Sequence, residues 1–186
     1  MSGDLSPKDH AKIKAQRVAP RQRPAHIKSP GPGQESVWDY PRPPRVEHVT
    51  ERIRVEFGGQ LVADTRRALR VLETSGPPVY YIPPEDVHTE FLHPSEHSTL
   101  CEWKGRAAYW HLELGDRRSR NAAWSYPDPL EGYADIRGYF AFYAQRVGAA
   151  FVGDDQARPQ PGQFYGGWIT DKIAGPFKGE PGSENW

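Results

Sequence analysis

Nineteen prolines and eighteen glycines punctuate this chain of 186 residues, about one position in five. Each interrupts a helix at a cost of roughly 1–3 kcal/mol, so a mostly helical fold is closed to the sequence. The material left for packing is aromatic: six Trp, nine Tyr and seven Phe in a composition that is only 37% hydrophobic. Short strands between Gly/Pro turns, closed around rings, are what such a chain can build. The length suits about one domain.

Lys and Arg number 24 and so do Asp and Glu, which removes the bulk electrostatic case for a dedicated nucleic-acid binder. The charge is uneven, however. Residues 1–34 hold seven basic side chains against Asp4 and Asp9, lack aromatic residues, and end in Lys28-Ser-Pro-Gly-Pro-Gly33. That is linker chemistry. The segment reads as a flexible basic arm over 1–35, the only feature pointing to nucleic acid. Ser6 and Pro7 are suited to start a short helix, one without an apolar face and hence marginal alone. The single cysteine, Cys101, excludes an intrachain disulfide and a multi-cysteine zinc site and fits a reducing compartment. No apolar run approaches the roughly 18 residues of a membrane span, and no signal-peptide core stands at the N-terminus. The chain therefore reads as cytoplasmic, with no membrane partner.

A β domain is expected over 36–152. Ile53-Arg-Val-Glu-Phe57 alternates with period two, Gly58-Gly59 makes a hairpin turn, and Leu61–Ala63 returns. Asp64 is a candidate cap for a helical turn over Arg66–Ala68, before an extended Arg70–Glu73. Val79–Ile82, pieces on either side of Lys104-Gly105, Ala107–Leu114, Asn121–Tyr126 and Gly138–Tyr143 read as further strands. Phe164, Tyr165, Trp168 and Phe177 make the Gly/Pro-rich stretch 153–186 too aromatic for a solvated tail. It is expected to pack on the domain and bury those rings.

Val55-x-Phe-Gly-Gly-x-Leu-Val-Ala-Asp-Thr-x-Arg-Ala-Leu69, Leu72-Glu73, Pro77-Pro-Val-Tyr-Tyr-Ile-Pro-Pro-Glu-Asp-Val87, Thr99-x-Cys101, Lys104-Gly-x-Ala107, Tyr109-Trp110 and Trp124-Ser-Tyr-Pro-Asp-Pro129 follow one another in order. In these motifs the chain resembles the family called domain of unknown function 427, also labelled nucleotidyltransferase-type, from about Val37 to Phe151. The Pro-Gln-Pro-Gly…Phe-Tyr-Gly-Gly-Trp tail resembles an extension of its longer members. The resemblance implies a small, antiparallel, twisted β domain of the tent-like type. Zinc-binding relatives in that architecture use two Cys-x-x-Cys pairs, which a chain with one Cys cannot supply.

Three groups of residues invite chemistry. His88, His93, His97 and Cys101 lie within fourteen residues; the spacing is not that of a zinc finger and Pro94 breaks any aligning helix, so they read as surface or packing residues and no metal is assigned. Cys101 stands three residues from Lys104, which would favour a thiolate; a small buried Cys is the commoner role. Arg67, Glu73, Asp86 and Lys104, with Tyr80, Tyr81, Tyr109, Trp110, Trp124 and Tyr126, form either a structural ion-pair network or a pocket wall with convergent polar groups. On the second reading Glu73, Asp86, Cys101 and Lys104 are the candidate catalytic groups. Arg67, Tyr81, Tyr109, Trp110, Trp124 and Tyr126 are then the candidate ligand-binding ones. Alternation assigns Tyr80 and Tyr81 to opposite faces of their strand, and likewise Tyr109 and Trp110. No Gly-x₄-Gly-Lys phosphate loop and no Gly-Ser followed by Asp-x-Asp is present, so no cofactor is assigned. Three functions follow: a small-molecule-binding domain with an aromatic-lined pocket, enzymatic or not; a non-catalytic protein-interaction module; and, from the family label alone, nucleotidyltransferase-type activity. A deep pocket with Lys104 or Glu73 at its base favours the first, a flat aromatic patch the second.

Overall fold

The computed structural model describes residues 5–186. Asp4, counted above with the arm, lies outside them. The chain is mainly β, and all but one of its strand pairings within the described residues are antiparallel.

One helix, α1 (Pro7–Val18), comes first. The strands then run β1 (Glu35–Ser36), β2 (Arg45–His48), β3 (Ile53–Phe57), β4 (Gln60–Thr65), β5 (Leu69–Leu72), β6 (Val79–Tyr81), β7 (Leu92–Cys101), β8 (Gly105–Leu114), β9 (Arg117–Ser125), β10 (Phe140–Phe142), β11 (Ala149–Val152) and β12 (Asp155–Gln156). The tail adds β13 (Arg158–Pro159), β14 (Trp168–Ile169) and β15 (Ile173–Ala174). The largest sheets have the orders β10-β9-β8-β7 and β12-β11-β3-β4, and a third has β2-β5-β6. Ile82 joins the third sheet to the first: its N–H donates to Phe140 O at 2.8 Å and its carbonyl accepts from Phe140 N at 2.9 Å.

Strands β8–β10 of the first sheet pack on both faces, and alternation sorts their rings between two cores. On one face Leu112, Ala122, Phe140 and Phe142 meet Ile53, Val55, Val62 and Trp168. On the other Tyr109, Trp124, Tyr126 and Tyr143 meet Tyr81 and Val71. Tyr80 packs in the first cluster and Tyr81 in the second, as period two requires. A third cluster joins Val37, Trp38 and Tyr40 to Leu72, Ile173 and Trp186. The stretch after Asp64 differs from expectation. Asp64 is a strand residue paired with Arg52 rather than a helix cap, because the β3 partner extends the hairpin as far as Ile53↔Thr65.

The tail runs along the domain. Trp168, 1% exposed, sits in the first core, while Tyr165 and Phe177 are half-buried. Phe164 departs from the expected burial, being 61% exposed; the Tyr143 hydroxyl holds its carbonyl at 2.9 Å, while its ring points away and meets that of Tyr165 edge-on at 5.0 Å.

Ser6 and Asp9 make a full capping box with Pro7 in the first turn. The helix rests on the domain through polar contacts: Asp9–Arg106 at 2.8 Å, Arg17 Nε to Glu102 O at 2.7 Å, and the Arg17 guanidinium 5.0 Å from the Trp103 ring. Only Ile13 is buried from its own face. Deleting residues 1–19 is therefore expected to cost about 1–2 kcal/mol, since exposed ion pairs and cation–π contacts contribute little, and the cost should shrink at high salt. Extending the deletion to residue 34 should cost more. It also removes Arg23, 5.7 Å from the Trp38 ring, and Ile27 on the third cluster. Thermal melts of both truncations at two salt concentrations check this. Among the described residues no helix is long and apolar enough to cross a membrane.

Candidate functional site

Between the β2-β5-β6 sheet and the aromatic face of β7–β9 lies a cavity of about 300 Å³. Its floor comes from strands. Tyr109 and Trp124 are direct cross-strand partners on β8 and β9, so both rings leave the sheet on one face. Tyr126 continues that face, and Tyr81 meets the set from β6, with ring centroids 6.4 Å from both Trp124 and Tyr126. Tyr143 packs 4.6 Å from Trp124.

Lys104 arrives from the β7–β8 turn. Cys101 pairs with Gly105 to close that hairpin, and Gly105 takes φ +95°, a conformation natural to glycine. Lys104 O accepts from Leu130 N at 3.0 Å, which holds the turn from outside while the side chain extends into the cavity. The residue is only 9% exposed, and its ammonium faces the Tyr126 ring at 6.0 Å. Burial opposes the charge, but Cys101, Tyr81 and Glu73 around it outweigh that and hold Lys104 above the ordinary lysine range. Burial pushes the Tyr81 hydroxyl up to about 12 and raises Tyr126 and Tyr143 as well, so these phenols stay protonated and able to donate.

The mouth is built by distant segments. Arg42 bridges two carboxylates, Glu73 and Glu102, at 2.8 Å each, and Arg21 reaches Glu102 at 3.4 Å. Lys178 donates to Trp186 O at 2.6 Å. From the tail, Phe164, Tyr165 and Gly166 form one lip. Tyr143 ties it down by donating to Phe164 O at 2.9 Å, and its oxygen lies 3.5 Å from the Tyr109 hydroxyl, itself 3.0 Å from Thr99 Oγ1. Gln16 of α1 also lines the mouth, with its side-chain oxygen buried and unpartnered.

Of the ten candidate residues, seven meet here: Glu73, Tyr81, Cys101, Lys104, Tyr109, Trp124 and Tyr126. Three do not. Asp86 accepts from Thr65 at 2.5 Å and pairs with Arg67 at 2.7 Å, away from the cavity and beside Arg52–Asp64. The Arg67 and Thr65 hydrogen bonds outweigh burial and leave the Asp86 carboxyl below its ordinary value, as in a structural ion pair. Trp110 faces the opposite core, packing 5.5 Å from Phe140 with its indole N–H on Ser125 Oγ at 3.1 Å. It was misassigned by grouping it with its neighbour Tyr109, from which alternation separates it. Sequence reasoning missed Tyr143, Arg42, Glu102 and the Phe164–Gly166 lip. Only Tyr143 left a signal, as the outward partner of Phe142 in an aromatic strand. The histidines are apart: His88 meets Glu90, His93 lies 3.8 Å from Glu113, and His97 stacks on Tyr109. Among the described residues no three His, Cys, Asp or Glu side chains converge as metal ligands would.

No curated protein matches the chain. A family model, described as a domain of unknown function (DUF427), matches residues 45–153. That stretch holds all of the strand-borne pocket floor, Lys104 and Cys101 included, and more than half of the sequence; the chain belongs to the DUF427 family.

Proposed function

We propose that this protein binds a small molecule in the aromatic-lined pocket between β5–β6 and β7–β9. The observation that carries the reading is the convergence, at the bottom of one concavity, of a buried ammonium, a thiol and phenolic hydroxyls among apolar ring faces. Ligand sites combine an apolar wall with a few placed polar groups in this way. A partner-docking module would instead present a contiguous apolar surface. Among the described residues the exposed large hydrophobics are Val18 and Phe164, two isolated side chains. If the bound molecule is also transformed, Cys101 and Lys104 are the groups placed to act on it, with Glu73 as the neighbouring carboxylate.

Cys101 offers a direct test, being the only cysteine and a half-buried part of the pocket wall. A metabolite library is screened by thermal shift on the full chain, since ligands of the native state raise its stability by mass action. Each hit is then tested for protection of Cys101 against alkylation, read by mass spectrometry. Hits that slow alkylation severalfold are expected. Hits that stabilise without slowing it would place binding elsewhere and overturn the reading.

A further inference from the structure

We propose that the pocket floor takes a carboxylate, and that the bound molecule is a small organic acid whose flat apolar body lies among the rings of Tyr81, Trp124 and Tyr126. This rests on the pocket being a ligand site. The cations around the cavity are unequal. Arg21 and Arg42 are paired with carboxylates, and Lys178 is bonded to Trp186 O. Lys104 is the most buried of them, and the acid that acts on its charge, Glu73, is paired with Arg42. The Cys101 side chain lines the same part of the cavity. Taking an ammonium out of water costs several kcal/mol unless a counter-charge is supplied. Glu73, the nearby acid, already spends its charge on Arg42 at 2.8 Å.

The groups beside Lys104 match an acceptor. Tyr81 and Tyr126 are buried, protonated phenols, and Trp124 adds to the same wall an indole N–H, which can only donate. An anion reaching Lys104 therefore meets donors. A carboxylate carries one charge and balances one ammonium. A phosphate dianion would leave excess negative charge buried near Glu73. At about 300 Å³ the cavity is at the small end for ligand sites, with room for one ring and a short acidic arm. At the mouth Arg42 and Arg21 neutralise Glu73 and Glu102, and the third lining acid, Glu184, is exposed to solvent.

The probes are phenylacetate, phenylacetamide, phenethylamine and phenyl phosphate, titrated into the full chain by calorimetry and by Cys101 protection. Phenylacetate is expected to bind at least about tenfold more tightly than its amide, the scale of one charge-assisted contact. In Lys104→Met that preference should vanish while amide binding persists. The wild-type acid-to-amide ratio needs no variant, and Lys104→Gln serves if the methionine variant does not fold. Amide or amine binding as well as the acid would overturn the carboxylate seat and leave the pocket reading standing. Tighter binding of phenyl phosphate would replace the ligand class. Absence of binding and protection by all four probes would overturn the seat; the pocket reading would then be decided by the library screen.

Discussion

Replacing Trp168 with alanine is expected to lower the stability of the entire protein by about 3–5 kcal/mol, the range for deleting a large buried ring. Although Trp168 belongs to the tail, its ring occupies the main core, 5.1 Å from Tyr80, with its indole N–H donating to Phe142 O at 2.8 Å. The truncation leaves a cavity facing Tyr80 and strips that carbonyl of its partner. For a chain of this length the melting temperature should fall by roughly 10 °C. Phe164→Ala is the control. That ring is largely in water, so its removal should change stability by less than about 0.5 kcal/mol. Urea unfolding followed by tryptophan fluorescence and by circular dichroism measures both. Coincident midpoints for Trp168→Ala and the parent would mean that the tail is an appendage after all.

A single methyl group at Gly167 should cost about 2–3 kcal/mol, at the upper end for overpacking. A Cβ there would lie 2.6 Å from Pro77 O and from Gln160 Oε1, and 2.7 Å from Pro77 Cγ. Gln160 cannot swing clear freely: its side chain accepts from Gly167 N at 3.0 Å and donates to Lys178 O at 2.8 Å. The main-chain oxygen of Pro77 is fixed by its neighbour, since Pro78 O holds Trp168 N at 2.9 Å. Gly167→Ala should thus loosen the tail where it turns past the cavity, and Cys101 should become alkylated faster along with the loss of stability. A destabilised variant whose Cys101 reacts at the parental rate would show that the lip is held by Tyr143 and not by the Gly167 seat.

The parts of this fold that alternate are the parts that were legible. The β3–β4 hairpin follows from Ile53–Phe57 and from Gly58-Gly59, both at positive φ, and the alternation of β8 places Tyr109 toward the pocket. β7 was hidden. His93, Pro94, Ser95, Glu96 and His97 look like a loop because β7 is an edge strand, exposed on much of its length and bulged between Pro94 and Ser98. Its hydrogen bonds come from β8, which a local reading does not see. Lys104 was visible as a candidate, but its burial was not. A lysine in a hairpin turn is ordinarily solvated, and here Leu130 and Tyr126, more than twenty residues downstream, enclose it. The mouth was illegible for the same reason. Arg42, Glu102 and Tyr165 are brought together by three separate folding-back events.

The floor of the cavity lies inside the 45–153 match, whereas Gln16, Arg21, Arg42 and the Phe164–Gly166 lip lie outside it. Chemistry and access are thus encoded in different portions of the chain. Substitutions at the flank residues that line the entrance can reshape its charge and width, whereas Trp168, also in the flank, belongs to the core that holds the strands. Chimeras that keep the β domain and Trp168 but swap the segments holding Gln16, Arg21, Arg42 and the Phe164–Gly166 lip are expected to alter access to the pocket, read as the rate of Cys101 alkylation.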